Sequence, residues 1–299
     1  MAHIIIKNHE IVSNDIGNNI TLKDNKLTIP KNTQIKDAIK ISLINDSGEQ
    51  LKFVVEENSD VNILLEVVDE SKGESSYNID FETKANTNVK YLLIANLESE
   101  NANINHDFKI GRDSNTHIMA GLVSEVLTAK LNVEIIGQGA NVNIRAIALS
   151  NDNHDQKIDV YMHHRAPHTN GDMTCIGIAG GNGKVILNGI EKIDNGMKHC
   201  NVYQTLRGII TSDDARIEVN PILLIEEYDL YGAGHAATVG KLDQEALYYL
   251  MSRGLTKRDS EKLIINGFVK PLLDEIEDEE LNAKFSELVN KRIWLIWMK

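Results

Sequence analysis

Between about residue 50 and residue 230 the chain is a succession of short apolar runs, and none holds a 3.6-residue apolar stripe long enough for a helix. FVVEE (53–57), VNILLEVV (61–68), YLLIANL (91–97) and LNVEII (131–136) are followed by KIDVYM (157–162), KVILNG (184–189) and RIEV (216–219). Several alternate apolar with polar residues, the period of a strand whose two faces meet different surroundings. Asn, Asp and Gly fill the gaps, as turn residues should. This implies a mainly β body and fits a sandwich as well as a solenoid. A spacing separates the two: Val185, Val202 and Val219 stand seventeen residues apart, each in a strand-like run. Two short strands and two turns use about that many residues per coil, and a sandwich has no reason to keep a fixed interval. The spacing predicts a β-solenoid with a seventeen-residue coil.

After residue 240 the texture changes. LDQEALYYLMSRG opens with Asp243 as N-cap and Glu245 in the first turn, sets Leu247, Leu250 and Met251 on one face, and meets a C′ stop at Gly254. TKRDSEKLIINGF repeats the pattern, with Thr256 as N-cap and an end near Gly267. A third segment carries Leu281, Phe285, Leu288 and Val289 on one side, preceded by the acidic run DEIEDEE (274–280). The expected plan is a β-solenoid over 1–240 and a small α-helical module over 241–299.

Several functional classes fall away. A formal net charge of −13 argues against a nucleic-acid or anionic-membrane surface, because phosphates repel an acidic field. MAHIIIKNHEIV at the N-terminus has no long apolar region and is not a secretory signal, and IWLIWM (293–298) is too short to span a bilayer. Two cysteines, Cys175 and Cys200, make no disulfide framework. A soluble, cytoplasmic protein is the expectation.

The motifs that invite chemistry each have a plainer reading. HHRAPHT (163–169) gathers three histidines, but His163 and His164 point to opposite faces of a strand, and no carboxylate or cysteine stands at a ligand spacing. GGNGK (180–184) is not a phosphate loop: Ile178 stands where the first Gly belongs, Val185 where Ser or Thr belongs, and a strand follows. No GxSxG, HExxH or CxxC supports an ordinary hydrolase. Cys200, Glu218 and His235 are separated by eighteen and seventeen residues, so on a seventeen-residue coil they share a face, and thiolate, carboxylate and imidazole are all competent iron ligands. Against this stand a lone cysteine as a small buried hydrophobe and a lone strand Glu as a solvated side chain. YGAGHAATVG (231–240) leaves His235 among residues too small to pack around it.

HHRAPHT, KVILNGIEKI and the run GHAATVGKLDQEALYYLMSRGLTKRDSEKLIINGF together resemble the SufB/SufD family of iron–sulfur cluster assembly scaffolds, closely over roughly residues 160–270. The resemblance implies a right-handed parallel β-helix with a helical C-terminal module that docks an ABC-type ATPase, the SufC partner. It implies a non-enzymatic scaffold, with nascent cluster, a transient 4Fe–4S species, forming where two scaffold chains meet. Nucleotide chemistry then belongs to the partner, in keeping with the failed Walker match. His235 matches the histidine that the family places at the scaffold interface, where Gly234, Ala236 and Ala237 let a second chain or a cluster approach.

This chain departs from the family patterns. Ala233 stands where SufD-type chains carry a cysteine, Ala236 where SufB-type chains carry a Glu, and Arg207 near the position of the SufB-type cysteine. The chain also begins without the long N-terminal helical region, so a compact variant is expected. A cubane cluster wants about four ligands, mostly thiolates, and Cys175 in TCIGIA reads as core. Two copies pairing Cys200 with His235 or Glu218 across a two-fold axis meet that need. The alternatives are a SufD-like accessory that pairs with a separate SufB-like chain and binds no cluster alone, and a solenoid interaction module without metal. A carbohydrate-active β-helix is disfavoured by the scarcity of aromatics, 5% of residues.

Overall fold

The computed structural model describes residues 3–17, 19–152 and 154–273, together with residues 282, 283, 286, 287 and 290. In chain order the strands begin with β1 (His3–Lys7), β2 (Glu10–Asp15), β3 (Thr21–Lys23), β4 (Lys26–Ile29), β5 (Gln34–Ile44), β6 (Gln50–Val55), β7 (Asp60–Asp69), β8 (Glu74–Thr83), β9 (Asn88–Leu97) and β10 (Asn101–Ile110). They continue with β11 (Asn115–Leu122), β12 (Leu127–Ile135), β13 (Asn141–Ser150), β14 (Asp155–His164), β15 (Asn170–Ala179), β16 (Lys184–Ile193), β17 (Asn201–Ile210), β18 (Arg216–Ile225) and β19 (Gly232–Lys241). Helices α1 (Gln244–Ser252) and α2 (Lys257–Leu273) follow. From β5 onward odd strands stack in parallel in one sheet and even strands in the other, a parallel β-solenoid of about 7 turns. The two N-terminal pairings, β1 with β2 and β3 with β4, are antiparallel.

The solenoid is as expected, but its coil is longer. Asp60, Asn88, Asn115, Asn141, Asn170, Asn201 and Gly232 occupy one register position on successive coils, so in the ten-stranded sheet a coil takes 26 to 31 residues. Val185, Val202 and Val219 lie in β16, β17 and β18, which alternate between the sheets, and Val185 pairs with Ile217. Seventeen residues is the step from one sheet to the other. Strands of ten residues, longer than the short strands assumed, account for the difference.

One corner of each coil is built alike. Asn32, Asn58, Asn86, Asp113, Gly139, His168 and His199 all adopt left-handed φ, between 52° and 75°, which a short polar side chain or glycine accepts. Their successors, Thr33, Ser59, Thr87, Ser114, Ala140, Thr169 and Cys200, are small and buried. The hydroxyls in this column bond the turn carbonyls, as Thr33 to Pro30 O (2.5 Å) and Thr169 to Ala166 O (3.1 Å). Just outside it, Asn170 donates to Asn141 and Asn141 to Asn115, at 2.6 and 2.9 Å. Such repeated bonds fix the vertical register that periodicity alone leaves loose.

Alternation then fills the interior. In β8 and β16 every second residue is buried between the sheets. In the middle coils the filling is aromatic: the Phe81 ring lies 6.0, 5.0 and 5.6 Å from those of Phe53, Tyr91 and Phe108. Several strands of the ten-stranded sheet are apolar on both faces, because the helices cover the outer one. Leu247 of α1 and Ile265 and Val269 of α2 cluster with Leu92, Ile94, Ile147 and Ile176. Asp243 caps α1 as expected, its carboxylate accepting from Glu245 N at 2.9 Å, and Gly254 follows with φ +96°. Thr256 Oγ1 likewise accepts from Asp259 N. Helix α2, however, runs through Gly267 to Leu273, because Val269 extends its buried face. Leu281, Phe285, Leu288 and Val289 of the third segment, with its acidic lead, lie outside the described residues. No helix among the described residues is long and apolar enough to cross a membrane.

Candidate functional site

The solenoid ends at β18 and β19, the outermost strands of the two sheets, each pairing on one side only. Both are ten residues long. Alternation persists through most of β18, but among the described residues nothing covers the two strands: Ile222, Leu224, Ile225 and Val239 are exposed, with Tyr228 and Tyr231 in the connection between them. Pro221, which pairs with Gly189 in β18, is the sequence signal for such an edge, since proline is confined to strands whose ladder is incomplete.

The longer coil separates the three candidate ligands. His235 pairs with Gln204 and so continues an inward-facing column, but it is exposed because no further coil lies above it among the described residues. Its small neighbours have a local reason. A Cβ on Gly232 or Gly234 would stand 3.0 Å from Tyr203 Oη or 3.1 Å from its Cε1, so the two glycines make room for the Tyr203 ring of the same chain. Glu218 is on the other sheet, paired with Ile186, with its side chain 55% exposed and 3.1 Å from Lys184 Nζ. Cys200 is fully buried in the corner column, its Sγ 3.1 Å from Thr169 Oγ1 and 3.5 Å from Ala166 O. The thiol thus takes the place that Ser and Thr hold on other coils, and Tyr231 N donates to Cys200 O at 2.9 Å from the coil above. The expectation that the three share a face does not hold within one chain. Among the described residues no three His, Cys, Asp or Glu side chains converge as for a metal ion.

Cys175 faces the interior of β15, as expected of core, and burial pushes its thiol up to about 12. Arg207, near the position of the SufB-type cysteine, lies over the Phe268 ring at 5.1 Å and helps to pin α2. The three histidines of HHRAPHT disperse, as opposite strand faces require. His163 reaches Asp194 (2.9 Å), His164 points inward, and His168 takes the left-handed corner with its ring 4.9 Å from that of His199. The GGNGK stretch is a turn leading into β16. The outer side of α1 presents Tyr248, Tyr249 and Met251 to solvent, with Tyr248 77% exposed, while Leu247 faces the sheet.

A family model described as the SufBD core domain of the SUF system for FeS cluster assembly matches residues 44–268. The iron–sulfur cluster assembly protein SufD of Bacillus subtilis (strain 168) is 29% identical over 278 residues, which cover 89% of this chain and 63% of that protein. Two iron–sulfur cluster assembly SufBD family proteins of Mycobacterium tuberculosis H37Rv are also similar. One is 29% identical over 153 residues (50% of this chain, 18% of the relative), and the other 21% over 284 residues (89% and 70%). The chain therefore spans less than two thirds of the Bacillus relative.

Proposed function

The chain belongs to the SufBD core family of the SUF iron–sulfur cluster assembly system, and from that premise we propose that it is a scaffold subunit, not an enzyme, whose open solenoid end meets a second scaffold chain. The observation that carries this reading is the pair of unpaired ten-residue edges, β18 and β19, flanked by exposed apolar side chains. Unsatisfied strand edges and apolar surface together favour association. Iron and sulfide are the cargo, a transient 4Fe–4S cluster gathered where two such ends meet. His235 and Glu218 are the exposed nitrogen and oxygen ligands on each side. In a homodimer both come twice, from two copies about a two-fold axis. Cys200 joins them only when the last coil moves off its corner. A SufC-like ABC ATPase docks on the exposed Tyr248–Tyr249–Met251 side of α1 and supplies the ATP chemistry that drives this movement.

A second reading is favoured by the burial of both cysteines. A chain with no surface thiolate suits a SufD-like accessory that pairs with a separate SufB-like scaffold and binds no cluster alone.

Anaerobic reconstitution with iron and sulfide of the chain co-purified with its ATPase tests both. Iron content and visible absorption are read for wild type, Cys200→Ser and His235→Ala. The scaffold reading expects cluster in wild type and a several-fold lower yield in His235→Ala, with folding and ATPase binding retained. No cluster in wild type, followed by cluster once a second scaffold protein is added, gives the lead to the accessory reading.

A further inference from the structure

One coil below the open end the interior changes character. His164 of β14, Glu191 of β16 and Gln204 of β17 all face inward and are at most 1% exposed. His164 Nε2, both Glu191 carboxylate oxygens and Gln204 Oε1 have no hydrogen-bond partner. Each is an acceptor, or becomes one on ionisation, and buried polar atoms left unpaired call for a missing partner. Here that partner is a donor or a cation.

The surrounding bonds set these atoms as ligands. Thr169 Oγ1 donates to Ala166 O, so it accepts from His164 Nδ1 at 2.7 Å. That fixes the tautomer and leaves the Nε2 lone pair free, the arrangement by which a second partner orients a metal-binding imidazole. Gln204 Nε2 donates to Ile222 O at 3.0 Å, which turns its carbonyl oxygen inward. Two glycines let these side chains pack close together. A Cβ on Gly171 would meet Met162 Sδ at 2.5 Å and His164 Nε2 at 2.7 Å, and one on Gly189 would meet Gln204 Oε1 at 2.9 Å and Met173 Sδ at 3.0 Å. Glu191 lies between these two cradles: it pairs with Met162 on the neighbouring strand and stands two residues from Gly189 on the same face.

We propose that this interior cradle is a binding site for one divalent transition-metal ion, with the Glu191 carboxylate and His164 Nε2 as principal ligands and Gln204 Oε1 as a third donor. Imidazole nitrogen with carboxylate and amide oxygen suits a first-row divalent ion, and the thioethers of Met162 and Met173 add soft donors at the rim. Only two of the side chains are of the His, Cys, Asp or Glu type, so the amide oxygen completes the set. The ion supplies the charge that a buried carboxylate lacks. Access runs from the open end, where His235 stacks on Gln204.

Cobalt(II) titration of the full chain, without sulfide or ATPase, tests the site apart from any cluster at a scaffold interface. Visible d–d bands and stoichiometry are followed for wild type, Glu191→Gln and His235→Ala. Glu191→Gln is near-isosteric, and circular dichroism verifies its fold. The site requires one cobalt per chain in wild type, affinity lower by tenfold or more in Glu191→Gln, and little change in His235→Ala. Absence of binding, binding that survives Glu191→Gln, or equal loss in His235→Ala overturns the proposal and leaves interior water as the missing partner.

Discussion

The middle coils and the last two coils share one backbone plan and differ in what fills it. Around Phe53, Phe81, Tyr91 and Phe108 the interior is closed by rings in contact, and its one imidazole, His106, is stacked 3.9 Å from Phe108 with Nε2 2.6 Å from Tyr91 Oη. Toward the C-terminal end the same inward positions hold Gly171, Gly189, Met162, Met173, Glu191 and Gln204, and above them the stack stops. Hydrogen bonds between coils and the corner column serve both regions, so the backbone tolerates either filling. Stability is concentrated where side chains interlock, and chemistry becomes available where they do not.

The sharpest way to break this contrast is Phe81→Ala. It empties the centre of the ring cluster and should cost about 3–5 kcal/mol, read as a lower denaturant midpoint with an unchanged slope. A loss below about 1 kcal/mol would mean that the middle coils are not the stable half. The next test concerns acid. Burial lowers His106 to about 3, so its contribution to stability is whole above the ordinary imidazole value near 6.5 and is lost as pH falls through about 3. The double variant Tyr91→Phe/His106→Leu, which removes both partners together, should flatten the fall in stability over that window by about 2–4 kcal/mol. Parallel curves for the two proteins would place the acid sensitivity elsewhere. The smallest effects belong to the C-terminal end. Cys200→Ser puts into the corner column the hydroxyl that Ser59 and Ser114 already carry, and should change stability by less than about 1 kcal/mol. His235→Ala, at an exposed edge, should stay within about 0.5 kcal/mol. A larger loss in either, measured by denaturant unfolding, makes the open end part of the fold's support.

Local chemistry was the most legible. The caps at Asp243 and Thr256 depend on atoms a few residues apart, and the alternation in KVILNGIEKI assigns inward positions without reference to any partner strand. Glu191 could have been found in this way: it shares phase with Val185, Leu187 and Ile193, a carboxyl where every second residue is buried. What depends on stacking was hidden. Seventeen residues measured the sheet-to-sheet step, and only the pairing of β15 with β17 gives the true coil. That Cys200 replaces a corner hydroxyl becomes visible when Thr169 is set beneath it, thirty-one residues earlier. His235 is exposed only because its strand is the last, a property of its place in the stack and not of its neighbours.

The two ends of the stack also differ in width. At one end the sheets finish on reversed strands, β2 of six residues and β3 of three; at the other they finish on β18 and β19, ten residues each. A copy added head to tail would lay two long edges on two short ones running the wrong way, leaving much of the ladder without partners. Head-to-tail stacking of these described ends would thus be penalised at every step, whereas two wide ends facing one another would match in length. Between the described coils, the unequal ends would disfavour head-to-tail stacking, a bias that a uniform stack of parallel coils would lack.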